Sequence, residues 1–179
     1  MIDPLDGPFL FDTSAESWLA RHASGNVARW LRAYLGHHPI SVSAITVTER
    51  VRGYSMLWRR AAPNDRGRIE AARVAYLTQL GAVIPVDQVI AVVSGEIVAI
   101  VPAPPTPAKR SHRLAESLQE RLARWRFDIM IAATALVTGM TLIHNNASDF
   151  EAIRSAIERN AERFPRLGPL ELLRCSLLL

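Results

Sequence analysis

Apolar residues fall into short runs separated by longer stretches of helical period. Pro8-Phe-Leu-Phe11 ends at Asp12-Thr-Ser, which predicts a short buried strand delivering its last residues to a helix start. A first helix then carries Trp18 and Leu19, and a second carries Val27, Trp30, Leu31 and Leu35 before Gly36 and Pro39 stop it. Ser41-Val-Ser43 predicts another strand, followed by a helix from Ile45 to Tyr54. Pro63-Asn-Asp-Arg-Gly67 has the composition of a turn, after which Ile69, Ala72, Tyr76 and Leu80 recur at helical spacing up to Gly81.

The second half repeats the alternation. Ala82-Val-Ile-Pro-Val predicts a short buried strand and the next residues an apolar helix to Ile100. Pro102-Ala-Pro-Pro-Thr-Pro107 is too proline-rich for a helix or a central strand and predicts a stiff surface connector. Leu114, Leu118 and Leu122 then share a helical face, with arginines opposite. Asp128 is expected to open a separate alanine-rich helix that Gly139 ends. Thr141-Leu-Ile143 predicts a strand, Ser148 or Asp149 opens a helix through Ile157, and Leu170–Leu173 predicts a last edge strand.

Strands alternating with helices predict an α/β fold with a mainly parallel sheet covered on both faces. Residues 1–179 are expected to form one domain, with an expanded helical and Pro-rich middle region around 55–126. Two apolar stretches, Ala82–Pro102 and Phe127–Ile143, are too short or too interrupted by charge and proline to span a membrane, and predict buried core. The single cysteine, Cys175, excludes an internal disulfide and a Cys-rich zinc site and fits a reducing compartment. The acidic start, with no basic and apolar leader, predicts a cytoplasmic protein.

The formal charge of +4 hides an uneven distribution. Seven arginines between Arg50 and Arg73 face only Asp65 and Glu70, and the segment Lys109–Arg126 carries a further +4, leaving the remainder at −5. Lys109 is the only lysine, so nearly every cation is a guanidinium able to grip phosphate oxygens in a fork. Solvated helix faces explain these runs as well as a nucleic-acid patch does.

The acids carry the candidate chemistry. In a parallel α/β sheet, ligands bind beyond the carboxyl ends of the strands. Asp12 ends the first strand and Asp149 follows the Thr141–Ile143 strand, so both fall on that edge. Glu49 lies in the first turns of the helix after Ser43, and Asp128 has apolar neighbours on both sides. Four carboxylates brought together need a cation, and oxygen-only ligation points to Mg²⁺ or Mn²⁺, whose usual work is phosphodiester hydrolysis. Each acid also has a purely structural use. Thr13–Glu16, Thr46–Glu49 and Ser148–Glu151 match the helix capping box, and Asp128 matches a first-turn acid favoured by the helix dipole. Arg126 could contact phosphate or neutralise the acids, His144 is expected to be a polar loop residue, and Cys175 a core or interface residue. Glycine-rich phosphate loops, nucleophile elbows and histidine pairs of metal-binding type do not occur in the sequence.

Four blocks carry a family resemblance: Phe11-Asp-Thr-Ser14, Ser43-Ala-Ile-Thr-Val-Thr-Glu49-Arg-Val-Arg-Gly53, Asp128-Ile-Met-Ile-Ala-Ala-Thr-Ala135, and Gly139-Met-Thr-Leu-Ile-His-Asn-Asn146-Ala-Ser-Asp149-Phe150. Together they resemble the PIN-domain family, more narrowly the VapC-type toxins of type II toxin–antitoxin systems. The resemblance implies a Rossmann-like three-layer α/β/α domain and a Mg²⁺- or Mn²⁺-dependent endoribonuclease. Asp12, Asp128 and Asp149 would position the metal, Glu49 would orient metal-bound water or a second ion, and Ser14 and Asn146 would shape the pocket. It also implies an RNA substrate, a homodimer and a VapB-like antitoxin presenting a basic residue to the acids. The alternatives are an RNA-processing or DNA-directed nuclease on the same fold without an antitoxin, and a binding module whose acids hold an arginine of a partner without hydrolysis. The chain departs from the toxin pattern in its extra length between Tyr54 and Arg126, in Arg124-Trp-Arg-Phe127 ahead of Asp128, and in His144-Asn145 where these toxins are threonine-rich.

Overall fold

The computed structural model describes residues 2–105 and 117–178. Five strands form a single parallel sheet: β1 (Phe9–Phe11), β2 (Ser41–Ser43), β3 (Ala82–Ile84), β4 (Thr141–His144) and β5 (Leu172–Arg174), in the order β3-β2-β1-β4-β5. Every described pairing is parallel; in the centre Leu10 sits opposite Ser41 on one side and Leu142 on the other. The helices are α1 (Thr13–His22), α2 (Gly25–Leu35), α3 (Ala44–Arg60), α4 (Pro63–Thr78), α5 (Gln88–Ile100), α6 (Leu118–Thr138) and α7 (Ala147–Arg159).

Side chains of β1 alternate between two cores, as the pleat requires. Phe9 and Phe11 join Trp30, Tyr34 and Val27 beneath α1 and α2, while Leu10 points into the layer of α5, α6 and α7 with Ile97, Ile129 and Phe150. The result is three layers with both faces of the sheet covered, the expected architecture. The Phe9, Trp30 and Tyr34 rings stack at 5.1–6.2 Å, and the buried Tyr34 hydroxyl accepts from the Phe9 amide at 3.0 Å. The C-terminal tail serves the core: Leu170, Cys175 and Leu178 are buried around the edge strand β5.

Two expectations are corrected. Pro63–Gly67 is no turn but the first turn of α4, with Pro63 at the position where a missing N–H costs nothing; the actual break is Ala61-Ala62. Asp128 opens no helix either, because α6 runs unbroken from a Ser117 cap with a Glu120 capping box to Gly139 at φ 67°. The helix runs straight through Arg124-Trp-Arg-Phe127, where Trp125 is buried and donates its indole N–H to the Val101 carbonyl at 3.0 Å. Leu114, Lys109 and the end of the proline connector lie outside the described residues. The two apolar stretches form β3 with α5 and the end of α6 with β4, and among the described residues no helix is long and apolar enough to cross a membrane.

Candidate active site

The strand order reverses between β1 and β4, and in such sheets ligands bind at that point beyond the carboxyl ends of the strands. Asp12 is the first residue past β1 and caps α1. Its amide donates to the Ile143 carbonyl of β4 at 3.1 Å, and its carboxylate accepts from the Ala15 amide at 2.5 Å and the Ser14 hydroxyl at 2.8 Å. Ser14 Oγ also accepts from the Asn145 amide at 2.9 Å, so it joins the start of α1 to the turn after β4.

Glu49 is the sixth residue of α3, which Ser43 caps, and Thr13 Oγ1 donates to Glu49 Oε2 at 2.5 Å. Asp149 lies in the first turn of α7 and Asp128 midway along α6. One amide bridges those two: Asn146 Nδ2 donates to Asp149 Oδ2 at 2.9 Å and to Asp128 Oδ2 at 3.3 Å. None of the three sequence-matched capping boxes forms; Asp12, Ser43 and Asn146 occupy the N-cap positions instead. The first-turn explanation of Asp128 likewise fails.

Asp12, Asp128 and Asp149 are buried, and Asp128 lies within electrostatic reach of the other three acids. Burial raises Asp128 well above the ordinary carboxylate range, and the charges of Glu49, Asp149 and Asp12 raise it further, against a lowering by Arg124. Asp12 is pushed up to about 7, mainly by burial and also by Glu49, against its bonds to Ala15 and Ser14. The site therefore stores like-charge repulsion that a proton or a cation relieves.

The donor set, carboxylate oxygens without thiol or paired imidazole, has the chemistry of a hard divalent cation site. It is not a finished cage: among the described residues no group of three or more His, Cys, Asp or Glu is placed to hold an ion. The side chains are instead engaged by Ser14, Thr13, Asn146 and Arg124.

A family model described as the PIN domain matches residues 9–155, which includes all four acids. The chain belongs to the PIN domain family. PIN domains are nucleases as a class. No curated protein matches the chain. Similar solved structures include VapBC2 from Rickettsia felis bound to a DNA fragment from its promoter (16% identity, 93% of this chain and 97% of that one, TM-score 0.57) and DNA-bound VapBC from Salmonella typhimurium (18%, 93% and 97%, 0.57). VapBC-1 from nontypeable Haemophilus influenzae matches at 15% identity over 94% and 98%, with a TM-score of 0.58. At these identities the likeness concerns the fold.

Within this PIN domain, Ser14 and Asn146 touch the acids, whereas Arg126 is exposed. The arginine placed against the acids is Arg124, with Nη1 3.6 Å from Asp149 Oδ2. Its spacing of four residues from Asp128 is the helical neighbour relation, visible only once α6 is continuous across both. His144 is no loop residue. It ends β4, is buried against Phe150 at 5.1 Å between ring centres, and its pKa is lowered to about 4 by burial and then by the charge of Arg174.

Proposed function

We propose that this PIN domain is a metal-dependent endoribonuclease of the VapC-like toxin type, acting in the cytoplasm as one domain over residues 1–179 and partnered by a VapB-like antitoxin. The observation that supports the proposal most is that Asp12, Glu49 and Asp149, from three other elements, all act electrostatically on the buried Asp128 near the switch point of a parallel sheet. The fold likeness to VapBC complexes supports the choice of toxin over a processing enzyme. A homodimer belongs to the same proposal.

Asp12, Asp128 and Asp149 would hold Mg²⁺ or Mn²⁺, and the bound ion would supply Lewis acidity toward a phosphodiester and activate water. The chain's own residues do the rest. Ser14 and the Ala15 amide fix the Asp12 carboxylate, and Asn146 keeps Asp128 and Asp149 at one distance. Glu49, less buried than the aspartates and steadied by Thr13, is the group placed to accept a proton from attacking water. Arg124 offsets part of the negative charge that a phosphate must approach.

The test compares cleavage of labelled single-stranded RNA by wild type and Asp128→Asn with Mg²⁺, Mn²⁺ and EDTA. Cutting that needs metal and is lost in the variant is the expected result. Folded, partner-free protein that binds neither ion and cuts nothing is the result that favours a binding module.

A further inference from the structure

The α3–α4 hairpin bears charge opposite in sign to the acidic edge. Beyond Thr46 in α3, and throughout α4, no residue is fully buried, so the pair stands half-exposed beside the sheet. Arg50, Tyr54 and Trp58 recur every four residues on one stripe of α3, which starts one residue after Glu49. Residues of α4 meet that stripe. The Arg66 guanidinium lies 4.5 Å from the centre of the Trp58 ring, that of Arg50 lies 5.1 Å from Tyr76, and the Tyr54 and Tyr76 rings are 6.0 Å apart. Tyr54, Ser55, Trp58, Arg59, Glu70 and Arg73 enclose a cavity of about 310 Å³ between the two helices.

The charges do not balance locally. Both acids of α4 are engaged within that helix, Asp65 by Arg68 at 3.4 Å and Glu70 by Arg73 at 2.5 Å, while Arg50 reaches Glu16 of α1 at 3.8 Å. Arg52, Arg59, Arg60 and Arg66 have no acidic partner among the described residues. The Arg66 Nε is buried and makes no hydrogen bond, and the Trp58 side chain beside it remains 41% exposed. Two guanidinium groups without an acidic partner lie beside this accessible indole, Arg66 on its ring and Arg59 lining the same cavity, and they suit a ligand with spaced anions and flat rings. Single-stranded nucleic acid offers both, since phosphates fill guanidinium forks and unpaired bases stack on aromatic faces. A duplex hides its bases, and an acidic peptide lacks the rings.

We infer that the α3–α4 hairpin is a docking surface for single-stranded RNA, holding a flank of the substrate strand along the stripe that leads back to Glu49. The choice of RNA rests on the nuclease proposal above; the surface itself rests on charge and aromatic placement.

The test is fluorescence anisotropy of a labelled single-stranded RNA of about a dozen nucleotides in EDTA, where no cleavage competes. Arg59→Ala/Arg66→Ala should weaken binding about tenfold and reduce the slope of log affinity against log salt by about 1.4, the share of two phosphate contacts. Trp58→Ala should weaken binding by about tenfold, with Trp58→Phe restoring most of it, because stacking needs only an aromatic face. Circular dichroism confirms that the variants are folded. Unchanged affinity and salt slope in these variants overturn the inference, as does equal displacement of the RNA by a polyglutamate peptide. Unchanged RNA affinity together with intact metal-dependent cleavage sinks the docking surface and leaves the nuclease; hairpin-dependent binding with no cleavage in Mg²⁺ or Mn²⁺ does the reverse.

Discussion

The acidic edge and the α3–α4 hairpin lie next to each other in sequence at Glu49 and Arg50, yet they carry charge under opposite conditions. At the edge, three aspartates are almost removed from water and repel one another; in the hairpin, arginines are spread over an exposed surface where solvent screens them. Charge is therefore expensive for stability at the edge and nearly free in the hairpin. Substitutions at the edge should move stability and chemistry in opposite directions, whereas those in the hairpin should move neither and act on affinity alone.

The largest effect expected is on chemistry. Asp12→Asn and Asp128→Asn should each lower cleavage by about a thousandfold, measured as initial rates with Mg²⁺ or Mn²⁺. Full activity in both would erase the distinction between the two regions. The same Asp128→Asn change should stabilise the metal-free protein at pH 7.5 by about 1–2 kcal/mol, read as a melting temperature roughly 4 °C higher, since it removes a buried charge and keeps the shape. A lower melting temperature would show that the repulsion is already compensated.

The pH dependence sharpens this further. The folded-state pKa of Asp12 is about 7, above its unfolded value, so ionisation opposes folding: stability falls as pH rises from about 4 to about 7 and is flat beyond. His144 acts in the other direction, because its folded-state value of about 4 lies below the unfolded one and stability is lost as pH falls through 6.5 toward 4. The useful quantity is thus the difference in melting temperature between Asp12→Asn, which retains a good cap, and wild type. It should grow from pH 4 to pH 7 and then level off.

A smaller loss is expected for Arg124→Met. Without that cation near Asp149, the metal-free protein should lose about 1–2 kcal/mol by thermal melting, and Mn²⁺ should restore more stability to the variant than to wild type. Equal stabilisation of both by Mn²⁺ would remove Arg124 from the balance of charge at the site. The smallest change belongs to the hairpin, where Leu57→Asn, at a position 58% exposed, should stay within about 0.5 kcal/mol of wild type in denaturant unfolding.

Much of the fold was legible because short apolar runs ending at Asp12, Ser43 and His144 mark strand ends, and strand ends define the edge where the acids collect. Helix continuity was harder to read. Pro63 and Gly67 belong to turns by composition, yet an exposed helix tolerates proline in its first turn and glycine in its interior at modest cost. Asp128 read as the start of a separate helix because charge on both sides of Trp125 hides the inward face of α6. That misreading also concealed Arg124, whose relation to Asp128 is a matter of helical phase. The burial of His144 depended on Phe150 closing over it, a contact made by the following helix.

The unbroken α6 also decides where the chain tolerates changes of length. Trp125 is tied to Val101, and Asp128 follows less than one turn later, so this bond sets the angular position of the carboxylate. Residues gained or lost between Val101 and Ser117 are not registered by the site, because the tie lies downstream of them. A single residue inserted between Trp125 and Asp128 would rotate the carboxylate by about 100° away from Asp12. Extra length beside α6 is compatible with an intact acidic edge only on the far side of that tie, and the Pro-rich connector occupies that side.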